Sequence, residues 1–394
     1  MITEGSELLR QAEAILPQMI EWRRELHRWP ELGYKEERTA SYVAGALASL
    51  GVQVTTGIAG TGVVGLLESG RPGPTVALRA ELDALPIEEA TGLPFASQNP
   101  GVMHACGHDG HMAALLGACA ILCRYRDRLA GNVKFIFQPA EEMLGGGEAV
   151  CEAGVLKDPD VDAIFALHLW PWLEKGAVGF SQGTMMAAFD EFSVEVIGRS
   201  SHGASPHLGV DAIVAAARVV DALQSIVSRE IDPQDPVVVT IGKIRGGTAT
   251  NVVADRVEIA GSVRTFDPAT RSRMPERIER IAANVATAHG ATIRFAYNNE
   301  YPALANDAQA AARFFGAARA VLGERAARWI DRPSMASEDF AFYLQRVPGA
   351  FAFLGIQEGP DTPGLHTPDF RFDESVLVQA AALLAGVAFD YLER

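Results

Sequence analysis

"GNVKFIFQPAEE", residues 131–142, runs from a glycine through an almost unbroken apolar stretch into two adjacent carboxylates. Strands covered on both faces have this near-continuous hydrophobicity, unlike the alternation of half-exposed ones. Four other stretches share the character: "TGVVGLLES" (61–69), "PTVALRAEL" (74–82), "VDAIFALHL" (161–169) and "GAFAFLGIQ" (349–357). Helix candidates lie among them at 6–28, 36–50, 109–128, 145–154, 307–323 and 375–392. Alternation of this kind predicts an α/β layer structure with a mostly parallel central sheet flanked by helices. Ligands of such sheets gather beyond the carboxyl ends of the strands. Glu81 and Asp83, Glu141 and Glu142, and His168 sit at such ends, and the strand at 350–356 leads into a loop carrying His366.

The middle of the chain reads differently. "FDEFSVEVIGRS" (189–200), "PVVVTIGKIRGG" (236–247), "RVEIAGSVRTF" (256–266) and "ATIRFAYN" (291–298) alternate with period two, and helices are predicted at 209–230 and 268–289. The order β-α-β-β-α-β is that of a ferredoxin-like unit. The expected organisation is therefore a discontinuous α/β domain, 1–185 and 299–394, with a second domain inserted at 186–298.

The 394 residues carry a formal charge of −15, with 48% hydrophobic and 21% charged residues. That is a globular composition with a core of normal size. An acidic chain repels phosphate backbones, so nucleic acid and anionic membranes are not expected partners. No basic leader followed by an apolar stretch opens the sequence and no apolar run is long enough to span a bilayer, so a cytoplasmic location is expected. In a reducing compartment the four cysteines need not pair; Cys119, Cys123 and Cys151 read as structural.

"HACGHDGH", residues 104–111, holds three of the nine histidines, one of the four cysteines and an aspartate. Cys106 and His108 can reach one cation from a non-helical turn, and Gly107 and Gly110 supply backbone freedom. A thiolate with imidazoles and carboxylates suits zinc or a similar divalent ion rather than Ca²⁺ or Mg²⁺. Cys106, His108, Glu142, His168 and His366 make five donors, about right for two ions sharing a bridging group. Taken singly, His168 reads as a core histidine and His366 as an ordinary loop residue; the dense block at 104–111 gives them meaning. His104 and His111 read as groups that pack or orient rather than bind. "GTGVVG" (60–65) matches G-x-G-x-x-G, but it leads into a strand rather than a helix, so a dinucleotide site is rejected.

These motifs resemble the M20 family of metallopeptidases and amidohydrolases. The nearest branch holds hippurate hydrolases, N-acyl-L-amino acid amidohydrolases and auxin-conjugate hydrolases. The resemblance covers nearly the whole chain: "RRELHRWPELGYKE" (23–36), "LRAELDALPIEE" (78–89), "HACGHDGHMA" (104–113), "FQPAEE" (137–142), "HLWPWLEKG" (168–176), "SHGASPHLGVDAI" (201–213), "GGTATNVVADRVEIAGSVRTFD" (246–267), "ASEDFAFYL" (336–344) and "LHTPDF" (365–370). It implies a zinc-peptidase-like catalytic domain with an inserted lid or dimerisation domain. It implies two divalent ions per subunit (Zn, Mn, Co or Ni) on Cys106, His108, Glu142, His168 and His366, with Glu141 as general base. It implies that His202 and Asn251 act near the scissile carbonyl, that Arg264 holds a substrate carboxylate, and that Asp83, His104, Asp109 and His111 support the ligands. The implied reaction is cleavage of small N-acyl amino acids by a homodimer or larger homo-oligomer. A dipeptidase or carboxypeptidase on the same scaffold is the alternative, and a catalytically silent metal-binding module a further one. Glu81 departs from the aspartate usual in the branch, and "SHGASPH", "NVVADR" and "ASEDF" depart near the substrate positions.

Overall fold

The structure, a computed structural model, describes residues 2–142 and 145–393. The chain packs as two units: one contains the chain up to Met185, Ala305–Arg332 and the chain from Asp339, the other Met186–Leu304 and Pro333–Glu338.

The first unit is built on an eight-stranded sheet. Its four central strands, in spatial order Asn132–Gln138, Thr75–Glu81, Ala163–Glu174 and Gly349–Gln357, are mutually parallel. Their carboxyl ends therefore share one edge. Gly62–Glu68 adds antiparallel to Asn132–Gln138, and Gln53–Ile58 adds antiparallel to Gly62–Glu68. The glycines of "GTGVVG" thus lie in the turn and second strand of a hairpin, where no helix follows to receive a pyrophosphate. Val178–Phe180 and Ala327–Trp329 complete the other edge; these two short strands lacked the length to signal themselves in sequence.

Thr75–Glu81 is buried throughout, which is why its apolar run is continuous. Helices Ile2–Arg28, His108–Arg124, Ala308–Leu322 and Val376–Leu392 pack on one another, and two of them, His108–Arg124 and Val376–Leu392, on Thr75–Glu81. His108–Arg124 is rich in alanine and leucine, good helix formers, and its residues 108–122 are all buried. A helix apolar all round belongs inside a layer, not on its surface. It ends at Arg124 rather than 128, and the expected last turn is a separate 3₁₀ segment, Arg126–Arg128.

His168 does not end its strand, as its sequence context suggests. The strand continues to Glu174 because Gly349–Gln357 is long enough to pair with it, opposing Phe353 to His168 and Gly355 to Trp170. On the other side, pairing with Thr75–Glu81 stops at Arg79 and Ala166. His168 thus stands where the sheet has just lost one neighbour, which opens the crevice.

In the second unit, Ala188–Ile197, Val237–Gly246, Arg256–Thr265 and Thr292–Tyr301 form an antiparallel sheet in the order Val237–Gly246, Arg256–Thr265, Ala188–Ile197, Thr292–Tyr301. Helices Ala212–Ser225 and Pro268–Ala288 contribute Ala216, Val219, Ile278 and Ala282 to a core shared with Val194, Val196 and Ile259. Asp211 and Asp267 cap them, accepting N–H groups of Ile213, Val214 and Thr270. Among the described residues no helix is long and apolar enough to cross a membrane.

Candidate metal centre

The loop before helix His108–Arg124 and the helix's first residue deliver two donors, Cys106 and His108. Gly107 precedes the helix at φ +87°, a conformation that disfavours any side chain. Gly110 serves closeness rather than freedom: a Cβ there would lie 2.6 Å from the Phe372 ring and 3.0 Å from Leu169. The helix start is thereby pressed onto the strand that carries His168.

Two histidines are oriented by bonds at the nitrogen facing away from the centre, and a third is bonded at both nitrogens. His108 Nδ1 lies 2.8 Å from the Asp83 carbonyl, to which it donates. His168 Nδ1 likewise donates to the Leu169 carbonyl at 2.7 Å. Both rings thus turn Nε2 toward the centre, the orientation that supports metal ligation once that nitrogen is unprotonated. His111 is used up: the Leu169 N–H donates to its Nε2 at 3.0 Å, so its Nδ1 carries the proton donated to Glu81 at 2.8 Å. Glu81 also pairs with Arg79, whose guanidinium reaches Gln138 (2.9 Å) and Asp339 (2.7 Å). Burial alone would raise the Glu81 carboxyl, but Arg79 and His111 hold it well below the ordinary range.

The donors fall into two overlapping sets. Cys106, His108 and His168 have donor atoms within 4.8 Å of one another, and so do Cys106, Glu142 and His366. Cys106 Sγ is 3.3 Å from His168 Nε2 and 3.3 Å from His366 Nε2, and His366 Nε2 is 3.2 Å from Glu142 Oε1. His108 Nε2 is buried with no hydrogen-bond partner, and such an orphan needs an explanation. Burial, then the Glu142 and Glu141 carboxylates, push the Cys106 thiol well up. Burial lowers His108, yet the Asp83 side chain and the Glu81 and Glu142 carboxylates prevail and raise it to about 10. Surplus negative charge, an orphaned imidazole nitrogen and a mixed S, N and O donor set fit two divalent cations, which these two donor sets would hold. The centre opens on one side, where the His366 side chain is 51% exposed.

Glu141 and Glu142 are presented by a turn after Asn132–Gln138. The Asp83 carboxylate accepts both their backbone N–H groups, at 3.0 and 2.9 Å. Glu141 Oε2 and Glu142 Oε1 each lie 4.0 Å from His108 Nε2. Asp109, next to His108, turns to the N-terminal helix, where Arg23 Nε (2.8 Å) and His27 Nδ1 (2.9 Å) meet it. Arg23 and His27 escaped the sequence reading: "RRELHRWPELGYKE" stood out only as a resemblance, and no spacing points it at Asp109. His104 is buried with both ring nitrogens unpartnered, and burial pushes it down to about 3, so it stays neutral.

Within the second unit, His202 pairs with Val252 in a two-stranded ladder, and the Asn251 carbonyl accepts the Gly203 N–H at 2.7 Å. His202 and Asn251 are thus neighbours, and His202 Nδ1 accepts the Ala204 N–H at 3.0 Å. Arg264 is half-buried. It donates to the Met335 carbonyl (2.9 Å) and Ser337 Oγ (3.4 Å), and its guanidinium lies 4.9 Å from the centre of the Phe189 ring.

A hydrolytic metal centre at the carboxyl edge of a parallel sheet defines a broad class of enzymes. The family model of peptidase family M20/M25/M40 matches residues 77–390, and the chain belongs to that family of metal-dependent peptidases and amidohydrolases. It is 40% identical over 391 residues to the N-acetyl-L-cysteine deacetylase of Bacillus subtilis, covering 97% of this chain and 92% of the relative. It is 40% identical over 371 residues to the hippurate hydrolase of Campylobacter jejuni, covering 94% and 96%. The crystal structure of the Bacillus subtilis YXEP protein, described as a dinuclear metal binding peptidase, superposes with a TM-score of 0.83 at 35% identity, covering 95% and 98%.

Proposed function

We propose that this hydrolase cleaves the amide bond of N-acyl amino acids, releasing a carboxylic acid and a free amino acid. The observation that carries the reading is the pair of donor sets meeting at Cys106, with Glu141 beside them. Relatives named for N-acetyl-L-cysteine and hippurate support the substrate class. Cys106, His108, Glu142, His168 and His366 would hold two ions of the zinc, manganese, cobalt or nickel kind. When bound, such ions supply charge that acidifies a water and polarises a carbonyl. Glu141 takes the proton of the attacking water and passes it to the leaving nitrogen. Asp83 keeps Glu141 and Glu142 in register by holding their backbone N–H groups. On the family resemblance we assign His202 and Asn251 to the scissile carbonyl and Arg264 to the substrate carboxylate.

A panel of hippurate, N-acetyl amino acids and dipeptides, assayed after reconstitution with Zn²⁺, Mn²⁺, Co²⁺ and Ni²⁺, tests the reading. Turnover of dipeptides alone would move it to a dipeptidase on the same scaffold, and no turnover with any metal would leave a binding module. We also propose a homodimer in which His202 serves the partner's centre. Mixing Glu141→Gln with His202→Ala chains should then restore activity, whereas inactive mixed dimers would refute the sharing.

A further inference from the structure

The stretch "PELGYKE" (30–36) has no role in the reading above, yet it is stitched to the turn that carries Glu141 and Glu142. The Glu31 carbonyl accepts the Ala84 N–H at 2.8 Å, beside Asp83. Glu36, fully buried just before helix Glu37–Ser49, accepts the Ala140 N–H at 2.9 Å and the Thr61 hydroxyl at 2.6 Å. Ala140 has φ +54°, the left-handed region that alanine avoids. Three successive N–H groups, those of residues 140, 141 and 142, are therefore held by two buried carboxylates, Glu36 and Asp83. Gly146 packs closely on the same backbone: a Cβ there would lie 2.0 Å from the Pro139 carbonyl oxygen and 2.6 Å from that of Ala140.

We infer that Glu36 is a positioning residue of the metal centre, holding Ala140 in its unfavourable conformation so that Glu141 and Glu142 face the donors of Cys106 and His108. The inference rests on the two-ion reading for its consequence, but the clamp itself is a property of the metal-free chain. Supporting groups of this kind are worth about 10–100-fold in metal affinity or activity. Strained backbone at a functional turn persists only where its surroundings enforce it. Glu36 supplies that enforcement with an acceptor, which glutamine retains and alanine lacks.

The experiment compares wild type, Glu36→Ala, Glu36→Gln and the double variant Glu36→Ala/Ala140→Gly in the full chain. In metal-free protein, amide hydrogen exchange over residues 140–142, read by mass spectrometry, should quicken in Glu36→Ala and stay slow in Glu36→Gln. On Zn²⁺ titration Glu36→Ala should bind about 10–100-fold more weakly, with kcat lowered more than KM is raised. Ala140→Gly should return much of the lost affinity, because glycine adopts the left-handed conformation without a clamp. Unchanged exchange and Zn²⁺ affinity in folded Glu36→Ala would overturn the inference. So would a loss that Ala140→Gly fails to relieve, since it marks general loosening. If Glu36→Ala does not fold, Glu36→Gln decides: wild-type exchange and Zn²⁺ affinity support the clamp, and a loss of both refutes it. A wild type that binds no Zn²⁺ would sink the two-ion reading, while the exchange comparison would still judge Glu36.

Discussion

Cys106 Sγ stands 3.3 Å from His168 Nε2, whose ring is turned toward it by the bond from Nδ1 to the Leu169 carbonyl. Cys106 also belongs to the set with Glu142 and His366. Its loss should therefore weaken both ion positions. Cys106→Ala is expected to retain well under one ion per chain, whereas His168→Ala keeps the position served by Glu142 and His366. Elemental analysis after exhaustive buffer exchange measures this, and equal retention in the two variants would contradict a shared sulfur.

Glu141→Gln should bind metal like wild type and lose about 10²–10⁴-fold in kcat, the range for removing a general base. Metal content and turnover are measured on the same preparation. Near-full activity would remove Glu141 from the mechanism.

Metal affinity should rise with pH. Cys106 is held above the ordinary thiol range and His108 at about 10, so both carry protons in the metal-free chain at neutral pH. Binding must displace those protons, and it becomes easier as pH rises toward the pKa values. Calorimetry in buffers of different ionisation enthalpy should show proton release, with affinity climbing between about pH 6 and 9. Flat affinity would mean that other groups carry the ions.

Asp109→Asn tests the support behind His108. Burial would raise the Asp109 carboxyl, but Arg23 and His27 hold it far below the carboxylate range. That stabilisation is present above the unfolded pKa of about 3.9 and is lost as pH falls through the folded value. His27 is burial-lowered but raised overall by Asp109, so its share is present below about 6.5 and fades as pH rises through the folded value. Breaking a buried pair costs about 3–5 kcal/mol. The stability gap to wild type in urea melts should be widest near pH 5–6 and narrow on both sides; a pH-independent gap would deny the ionic role.

Much of the first unit was legible in sequence because burial on both faces leaves continuous apolar runs, as at Thr75–Glu81 and Ala163–Phe165. The residue types of the centre were equally legible in "HACGHDGH" and "PAEE". Ring orientation was not, since it depends on carbonyls of Asp83 and Leu169 brought near only by folding. His168 reads as terminal in sequence because its strand's continuation depends on pairing with Gly349–Gln357, a tertiary fact. Gly110 reads in sequence as a source of backbone freedom and serves instead as a notch for Phe372. Arg79 stands inside a buried strand, where its Glu81, Gln138 and Asp339 partners satisfy its charge, a network brought together only by folding.

The fourth central strand, Gly349–Gln357, and His366 both follow the second unit in the chain. During synthesis the earlier donors leave the ribosome first and must wait beside an unfinished sheet. A nascent or prematurely terminated chain holds Cys106, His108 and His168 without the residue that completes the second set. On the proposed ligand set, hydrolytic competence would therefore arrive only with the last part of the growing polypeptide, after His366 has been made.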